Sequence, residues 1–259
     1  QKCKAPVLGE ISYVKKDTSP IVVQKGSRSI VAEQFRAIRT NISFTKPGHS
    51  PRIILVTSHR PEEGKSFSSL NLAASYALLN KKVVVLEFDL RKPRLSLAVN
   101  IHSDTGISNY LASNSVTIDN ILQEVPGFEQ RFWLLPAGPI PPNPAELILG
   151  ERMKKMMEEL NSKFDYIIFD TPPYGLVTDS SLLAAHTDIS IVVLRQGFTF
   201  KWVLQELNKK MADNPAQPLY TVINRVGEKN QYGSYKRYGY GYTEYFDTPQ
   251  KKKKWGSKR

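Results

Sequence analysis

Short runs of consecutive apolar residues alternate with amphipathic segments over most of this chain, and this alternation constrains the fold more than any other feature. The apolar runs cover residues 53–56, 83–86, 132–135, 166–169, 189–194 and 219–223. Because the runs are continuous, we expect strands that are covered on both faces. Helical patterns lie between most of them, at residues 65–80, 144–160, 179–186 and 201–212. This succession predicts an α/β fold with a mostly parallel, doubly wound sheet and helices on both faces.

Composition divides the chain into an arm or linker, a folded domain and a tail, at residues 1–28, 29–228 and 229–259. The arm contains prolines and glycines, and we expect one short extended piece in it, at residues 21–23. The domain begins with an amphipathic helix over residues 30–44, for which Ser29 is the expected N-cap. The tail has no aliphatic residue to bury, so we expect it to be disordered.

The formal net charge of +12 is concentrated at the two ends of the chain. The arm has six Lys or Arg and two acidic residues. The tail has nine Lys or Arg and two acidic residues, which leaves the domain nearly neutral. A nucleic-acid-binding protein carries its basic face on the folded domain, so we expect no nucleic-acid partner. The four lysines at residues 251–254 favour the cytoplasmic face of a membrane. A solvated tail explains them equally well.

Cysteine content and hydropathy indicate the compartment. The chain has one cysteine, Cys3, which excludes an intrachain disulfide and fits a reducing cytoplasm. No apolar run approaches the roughly 20 residues of a spanning helix, and the first residues lack the apolar core of a signal peptide. We therefore expect the chain as given to be soluble.

A strand, a loop, the tripeptide Gly64-Lys65-Ser66 and a helix follow one another, which is the order that a phosphate-binding loop requires. Backbone amides and the helix N-terminus form an anion cradle, Lys65 reaches the terminal phosphates, and Ser66 ligates magnesium. The chain has no glycine where the pattern has its first one, so an ordinary helix start is the alternative. The predicted nucleotide-binding residues are Arg60, Pro61, Glu62, Glu63, Gly64, Lys65, Ser66, Phe67 and Asn224.

Carboxylates follow two further apolar runs. Glu87 and Asp89 come after the run at residues 83–86, and Asp170 ends the run at residues 166–169. Residues two apart on an extended chain point the same way, so both carboxylates of the first pair are expected to face the site. One of them binds the metal while the other accepts a hydroxyl proton, and Asp170 is suited to magnesium or its water shell. Taken singly, each is equally well explained as a helix cap or a surface residue.

The chain resembles the bacterial tyrosine kinases that act behind the transmembrane co-polymerases of capsule and exopolysaccharide export. The resemblance covers about residues 30–245 and rests on Glu87-Phe88-Asp89-Leu90-Arg91, which is similar to the second Walker motif of that family. The stretch 137–147, the turn 170–173 and the tyrosine-rich terminus add to it. Residues 6–11 resemble the segment that follows the second membrane span, which implies the cytoplasmic part of a longer protein at the bacterial inner membrane.

The resemblance implies a P-loop NTPase fold and a role for each site residue. Lys65 and Ser66 bind phosphate and magnesium, Asp89 and Asp170 serve the metal, and Glu87 is the candidate base for the incoming tyrosine. The family has Asp at the position of Glu87 and usually Gly at that of Glu62. The longer Glu87 keeps the base role only if the pocket has room for one more methylene group, and Glu62 lowers nucleotide affinity unless it points outward or pairs with Arg60.

Six tyrosines lie within fourteen residues of the tail: Tyr232, Tyr235, Tyr238, Tyr240, Tyr242 and Tyr245. Their spacing by Gly, Ser and Lys predicts a flexible strip of phenols that enters an active site one residue at a time. The alternative is an aromatic strip that stacks on RNA or sugars. The resemblance implies that these tyrosines are autophosphorylated. Each phosphate adds nearly two negative charges, so a few such events would reverse the tail's net charge of +7.

Glu33, Arg36 and Arg39 lie three residues apart and share one face of the first helix. In the resembling family this pattern makes contacts between the subunits of a ring, whereas from the residues alone an intrahelical ion pair is the simpler interpretation. A ring places the tail of one subunit beside the phosphate loop of another, so transfer in trans is expected. The implied partners are other copies of the chain, the transmembrane region of the parent protein and a cognate tyrosine phosphatase.

Three functions remain open from the sequence. The first is an ATP- and magnesium-dependent tyrosine kinase that phosphorylates its own tail and regulates polysaccharide synthesis and export. The second is a partition- or septum-positioning type ATPase, which needs no tyrosine strip. The third is a nucleotide-binding adaptor without chemistry, which Glu62 and Glu87 favour.

Overall fold

An eight-stranded sheet organises the part of the chain that this computed structural model describes, residues 3–15, 18–45 and 52–227. In chain order the strands are β1 Val7–Ser12, β2 Ile53–Ser58, β3 Val83–Glu87, β4 Gln123–Glu124, β5 Phe132–Leu135, β6 Tyr166–Asp170, β7 Ile189–Arg195 and β8 Leu219–Val226. Across the sheet their order is β1-β8-β7-β2-β6-β3-β5-β4. Every neighbouring pair is parallel except β4 and β5. The predicted α/β class with a mostly parallel sheet is confirmed.

The helices lie between the strands along the chain. They are α1 Ile30–Ser43, α2 Lys65–Ala77, α3 Leu95–Ala98, α4 Ile107–Ala112, α5 Ile118–Ile121, α6 Pro144–Leu149, α7 Glu151–Lys163, α8 Asp179–Ala184 and α9 Val203–Asp213. The predicted N-cap of α1 is confirmed, because the Ser29 hydroxyl accepts the amide of Ala32 at 3.2 Å. This bond satisfies one of the donors that a helix start leaves open.

Successive residues of the central strands pack into two cores on opposite faces of the sheet. On β2, Ile54 and Val56 join the core that contains Phe35 of α1, whereas Leu55 joins the core that contains Met156 of α7. All three strand residues are almost completely buried. Side chains alternate across a strand, so a continuous apolar run fills both cores. This explains why the strands of this sheet lack an alternating sequence pattern.

The described part of the predicted arm packs on the domain instead of standing apart from it. β1 pairs with β8, with Gly9 opposite Val222. Gly9 permits this packing, because a Cβ atom at that position would lie 2.6 Å from Cγ1 of Ile38 on α1. The glycine therefore reflects a close approach to a helix and not a loop. The predicted extended piece at residues 21–23 forms no strand, and its Val22 and Val23 amides donate to the Asn71 side chain.

Between residues 95 and 160 the structure differs from the sequence expectation in two ways. The predicted helix over residues 144–160 is two helices, α6 and α7, because Gly150 adopts an extended conformation (φ −71°, ψ 158°) between them. The short elements α3, α4, α5 and β4 were not predicted. Each has six residues or fewer, too few to display a helical or strand period.

Two further expectations concern membrane spans and the tail. Within residues 3–15, 18–45 and 52–227, no helix combines the length and the apolar character that a membrane span requires. The tail at residues 229–259 and its six tyrosines lie outside the described residues.

Candidate active site

The candidate site lies where three neighbouring strands end. In the sheet β6 lies between β2 and β3, and Glu87 at the end of β3 pairs with Asp170 at the end of β6. The phosphate loop leaves the end of β2 at Ser58 and enters α2 at Lys65. Ligands of parallel α/β sheets bind beyond the carboxyl ends of the strands. The topology therefore brings together three segments that are far apart in the sequence.

Lys65 is the centre of the charged cluster. Its Nζ atom lies 3.1 Å from Oδ2 of Asp89 and 3.8 Å from Oδ2 of Asp170. Burial lowers the pKa of Lys65, but the Asp170 and Asp89 carboxylates more than offset this and raise it above its ordinary value. The ammonium group therefore stays charged, as a group that neutralises phosphate oxygens must.

Asp170 is buried and held by hydroxyl groups. Oδ2 accepts the Ser66 hydroxyl at 2.7 Å, and Oδ1 accepts the Ser69 hydroxyl at 3.1 Å. Burial raises the pKa of this carboxyl, while Lys65 and the Ser66 bond act in the opposite direction. A buried carboxylate is costly unless a cation or donors compensate it. Asp170 is therefore suited to a divalent cation, which would favour its ionised form.

The donor set fits magnesium. Mg²⁺ prefers oxygen ligands and is usually held by one or two carboxylates together with substrate phosphates and waters. Ser66, Asp89 and Asp170 supply a hydroxyl and two carboxylates beside the phosphate loop. Within the described ranges no group of three or more His, Cys, Asp or Glu forms a metal cage of its own. These three residues would therefore hold the ion together with the nucleotide.

The backbone of the phosphate loop is tightly constrained at Gly64. This residue has φ 104°, and a Cβ atom there would lie 2.0 Å from Nδ2 of Asn224. Asn224 donates that same amide group to the Glu63 carbonyl at 2.8 Å. The structure thus brings the predicted nucleotide-binding residue Asn224, from the end of β8, into direct contact with the loop. Ser58, the last residue of β2, donates its hydroxyl to the carbonyl of Arg60 at 2.8 Å.

The two consecutive glutamates of the loop have opposite environments. Glu62 is exposed and lies at the crest of the loop with φ 67°, a conformation that favours glycine. The sequence predicted that a carboxylate at this position avoids repulsion of the nucleotide if it points outward or pairs with Arg60. The exposure of Glu62 meets the first condition. Glu63 is completely buried, and its carboxylate accepts the amide of Arg60 at 2.9 Å and the hydroxyl of Thr199. Thr199 was not predicted, because nothing in a lone threonine after β7 signals such a contact.

Arg60 and Phe67 contact aromatic side chains, and Pro61 lies at the surface. The Arg60 guanidinium lies 4.3 Å from the ring centre of Phe198 and 5.1 Å from that of Phe200. Pro61 is exposed. Phe67 packs its ring edge against Phe35 of α1, with ring centres 5.7 Å apart. Of the predicted nucleotide-binding residues, Phe67 is thus directed towards the core.

Glu87 does not lie open to the site. Its side chain is completely buried, and Oε1 accepts the amides of Leu95 at 2.5 Å and Ser96 at 3.3 Å. Oε2 accepts the amide of Ala137 at 3.2 Å. The sequence placed Glu87 and Asp89 on one side of an extended chain, but β3 ends at Glu87 and the two carboxylates have different partners. The base role of Glu87 stays a prediction, and this geometry counts against it.

The predicted contact residues of α1 have partners within the same chain. Glu33 and Arg36 form an ion pair, and Arg36 also donates to the Ser27 carbonyl. Arg39 donates to the Ser75 carbonyl of α2, and burial lowers the pKa of its guanidinium. The intrahelical pair is the simpler alternative that the sequence left open. The ring contact stays a prediction.

The fold and the site together define a P-loop nucleotide-binding protein. The family model of the AAA domain matches residues 51–211, which is more than half of the chain. The tyrosine-protein kinase YwqD of Bacillus subtilis is 33% identical over 217 residues, and the match covers 83% of this chain and 90% of that protein. The chain belongs to the family of bacterial tyrosine-protein kinases.

Solved structures agree with this assignment. The chimerical protein CapA2B2 superposes with a TM-score of 0.79 at 30% identity and covers 86% of this chain and 96% of its own. The kinase domain of Escherichia coli tyrosine kinase ETK gives 0.77 at 25% identity, with 89% and 94% covered. The septum site-determining protein MinD of Pyrococcus horikoshii, complexed with Mg-ADP, gives 0.54 at 18% identity, with 76% and 78% covered, and shows the shared fold alone.

Proposed function

We propose that this protein transfers the terminal phosphoryl group of ATP to protein tyrosines, including those of its own tail. The observation that carries this proposal is the meeting of Lys65, Ser66, Asp89 and Asp170 at the ends of three strands, with contacts of 2.7 to 3.8 Å. The family membership gives the acceptor class. The tail supplies six tyrosines in fourteen residues.

The chemistry requires positioning and charge neutralisation more than covalent help. The phenol oxygen forms a bond to the γ-phosphorus, the bond from that phosphorus to the bridging oxygen breaks, and ADP leaves. The phenol proton passes to a carboxylate of the site. Lys65 and the loop amides stabilise the charge on the phosphate oxygens, and Ser66, Asp89 and Asp170 would hold a magnesium ion that supplies further positive charge there. Asn224 and Glu63 keep the loop in shape.

We further propose that transfer occurs in trans within a homo-oligomeric ring and that it regulates polysaccharide synthesis and export. The pattern Glu33, Arg36, Arg39 on α1 and the basic tail support this proposal. The parent protein would place the domain at the cytoplasmic face of the inner membrane, with a transmembrane region and a cognate phosphatase as partners. Negative charge added to the tail would then weaken attraction to anionic lipids.

Intact-mass measurement after incubation with Mg-ATP tests the proposed activity. A kinase adds phosphates to tyrosine, a partition- or septum-type ATPase releases only free phosphate, and an adaptor does neither. Lys65→Met removes the neutralising charge, and we expect the rate to fall on the order of 10³-fold. Lys209→Met, an exposed lysine on α9, is the matched control and should leave the rate unchanged. Unmodified wild-type protein contradicts the proposal.

Mixing tests the trans route. Lys65→Met protein keeps all six tail tyrosines, so wild-type protein should phosphorylate it, and the two are distinguished by mass. The rate per molecule should fall on dilution. If wild-type chains modify only themselves at a rate independent of concentration, transfer occurs in cis.

A further inference from the structure

Glu87 occupies an unusual position for a proton acceptor. All three of its hydrogen-bond donors are backbone amides, two at the start of α3 and one after β5. A carboxylate that accepts several backbone amides cannot turn towards a new partner without leaving those amides unsatisfied. The side chain is also completely buried. An incoming phenol would have to displace these bonds to reach it.

The backbone explains why Glu87 and Asp89 separate. The amide of Phe88, the residue between them, donates to the carbonyl of Asp170 at 2.8 Å and to that of Leu86 at 3.1 Å. The strand therefore turns at this point, and the rule that residues two apart point the same way no longer applies. Asp89 turns to Lys65, whereas Glu87 turns to Leu95.

The bonds of Glu87 close a loop. Residues 88–94 connect β3 to α3, and Glu87 precedes the loop while its partners Leu95 and Ser96 follow it. Arg91, within the loop, donates to both carboxylate oxygens of Asp179 at the start of α8, at 2.9 and 3.2 Å. The loop is thus fixed at its two ends by Glu87 and in the middle by Arg91. Asp89 is the loop residue that faces Lys65.

We propose that Glu87 is a positioning residue and not the base for the phenol: it holds the loop 88–94 so that Asp89 faces Lys65 and the nucleotide. Arg91 assists by fixing the middle of the loop to α8 through Asp179. Asp89 is then the carboxylate of this motif that meets the substrate. The inference rests on the proposed kinase function.

The extra methylene group of Glu87, compared with aspartate, lets its carboxylate reach amides on two different segments. The carboxylate spans from the end of β3 to the start of α3 and to Ala137 after β5. Aspartate, the residue that the resembling family has here, is shorter by one carbon–carbon bond of about 1.5 Å. From the same backbone we expect it to satisfy only one of the two groups of amides. The Glu87 of this chain is therefore matched to its own loop.

Two substitutions separate the two roles, because the roles predict opposite orders of activity. If Glu87 is a positioning residue, Glu87→Gln keeps its length and an acceptor oxygen for Leu95 and Ser96 and loses only the acceptor for Ala137, so kcat should stay within about 10-fold of wild type. Glu87→Asp should be more damaging and should raise KM for Mg-ATP more than it lowers kcat. If Glu87 is the base, Glu87→Asp keeps activity while Glu87→Gln loses on the order of 10²- to 10⁴-fold in kcat.

The pH profile gives a readout that a purely structural role does not change. With Glu87→Gln, any fall of kcat towards acid pH should remain as in wild type, because Glu87 is not the group that accepts the phenol proton. Disappearance of that fall, together with the loss of kcat, overturns the inference. Asp89→Asn is the matched comparison two residues away, and we expect it to abolish transfer.

A measurement that needs no turnover keeps the inference separate from the proposed function. Hydrogen exchange of the Leu95 and Ser96 amides should be slow in wild type and in Glu87→Gln, and much faster in Glu87→Asp. Unchanged protection in Glu87→Asp overturns the positioning role even if the protein is an active kinase. If wild type shows the expected protection but phosphorylates nothing, the proposed function fails while the role of Glu87 in the loop stands.

Discussion

The two loops that meet at the candidate site are built in different ways. The phosphate loop depends first on backbone conformation, since Gly64 and Glu62 both have positive φ, and the Asn224 and Glu63 side chains add hydrogen bonds to it. The loop at residues 88–94 takes its shape from side chains, since Glu87 closes its ends and Arg91 fixes its middle to α8. Both loops present a charged group to the same point.

The difference teaches where each loop tolerates change. A loop defined by backbone dihedrals is sensitive to the addition of a Cβ atom and insensitive to the loss of an exposed charge. A loop defined by carboxylate anchors is sensitive to the loss of an anchor, because the backbone amides that it satisfied become orphaned. Substitutions in the two loops should therefore have effects of different kinds.

Gly64→Ala should have the largest effect. The new methyl group forces Asn224 away from the Glu63 carbonyl and places alanine in the left-handed region, and together these cost about 3 kcal/mol of unfolding free energy. Urea denaturation measures this. Gly26→Ala is the control, because Gly26 also has positive φ (75°) but no atom within 4 Å of the added Cβ, so it should cost only about 1 kcal/mol. Equal losses would contradict the clash at Asn224.

Asp179→Asn should have the next largest effect. It weakens both hydrogen bonds from Arg91 to a fully buried carboxylate, and we expect a loss of about 1–2 kcal/mol together with slower phosphoryl transfer. Glu151→Gln, which breaks the exposed pair with Lys154, should change neither stability nor rate measurably. If the two variants transfer phosphate equally fast, the loop at residues 88–94 needs no anchor on α8.

Glu62→Gly should stabilise the protein, because glycine adopts φ 67° without strain. The gain is about 0.5–1 kcal/mol after the greater chain entropy of glycine is subtracted. Removal of a carboxylate from the phosphate loop should also tighten Mg-ATP binding, measured by calorimetry. Asn80→Gly is the control at φ 61°, and since asparagine tolerates this region its gain should be smaller. A destabilised Glu62→Gly would show that the exposed side chain makes a needed contact.

The smallest expected effect is on the pH dependence of the free energy of unfolding, through a histidine next to α8, the helix that anchors the loop at residues 88–94. Burial and the nearby Lys154 lower the pKa of His186, which follows α8. As the pH falls, the unfolded chain therefore protonates at His186 before the folded protein does. The free energy of unfolding is unaffected above pH 6.5 and decreases as the pH falls from 6.5 towards the folded-state pKa. Denaturation between pH 7 and pH 5 should show this slope, and His186→Asn should flatten it. Because His186 is partly exposed, the slope should be shallow.

The strands of the sheet were predictable because each one is marked by consecutive residues in the sequence. Each continuous apolar run became a strand, and the Gly-Lys-Ser signal marked the start of α2 at Lys65. The edge strand β1 was missed because Gly9 was read as a loop signal, whereas the glycine lies against Ile38. Only the three-dimensional packing of α1 on β1 distinguishes these two uses of glycine.

The site was predictable in its residue types but less so in its geometry. Lys65, Asp89 and Asp170 meet because the ends of parallel strands share one edge of the sheet. The partners of Glu87 lie eight to fifty residues away in the sequence. They are backbone amides, which every residue except proline possesses, so no residue pattern marks them. The same reason hides Thr199, whose hydroxyl bonds to the buried Glu63.

The pairing of β1 with β8 gives the protein a mechanical property. The two strands run parallel, with a continuous register from Gly9 to Ile11, and β8 carries Asn224, which bonds to the phosphate loop. Tension applied along β1 would load these interstrand bonds side by side in shear, so they would resist together and not open one by one. A displacement of the first residues of the chain would thus be transmitted rigidly, through a single strand, to the backbone that surrounds the phosphates.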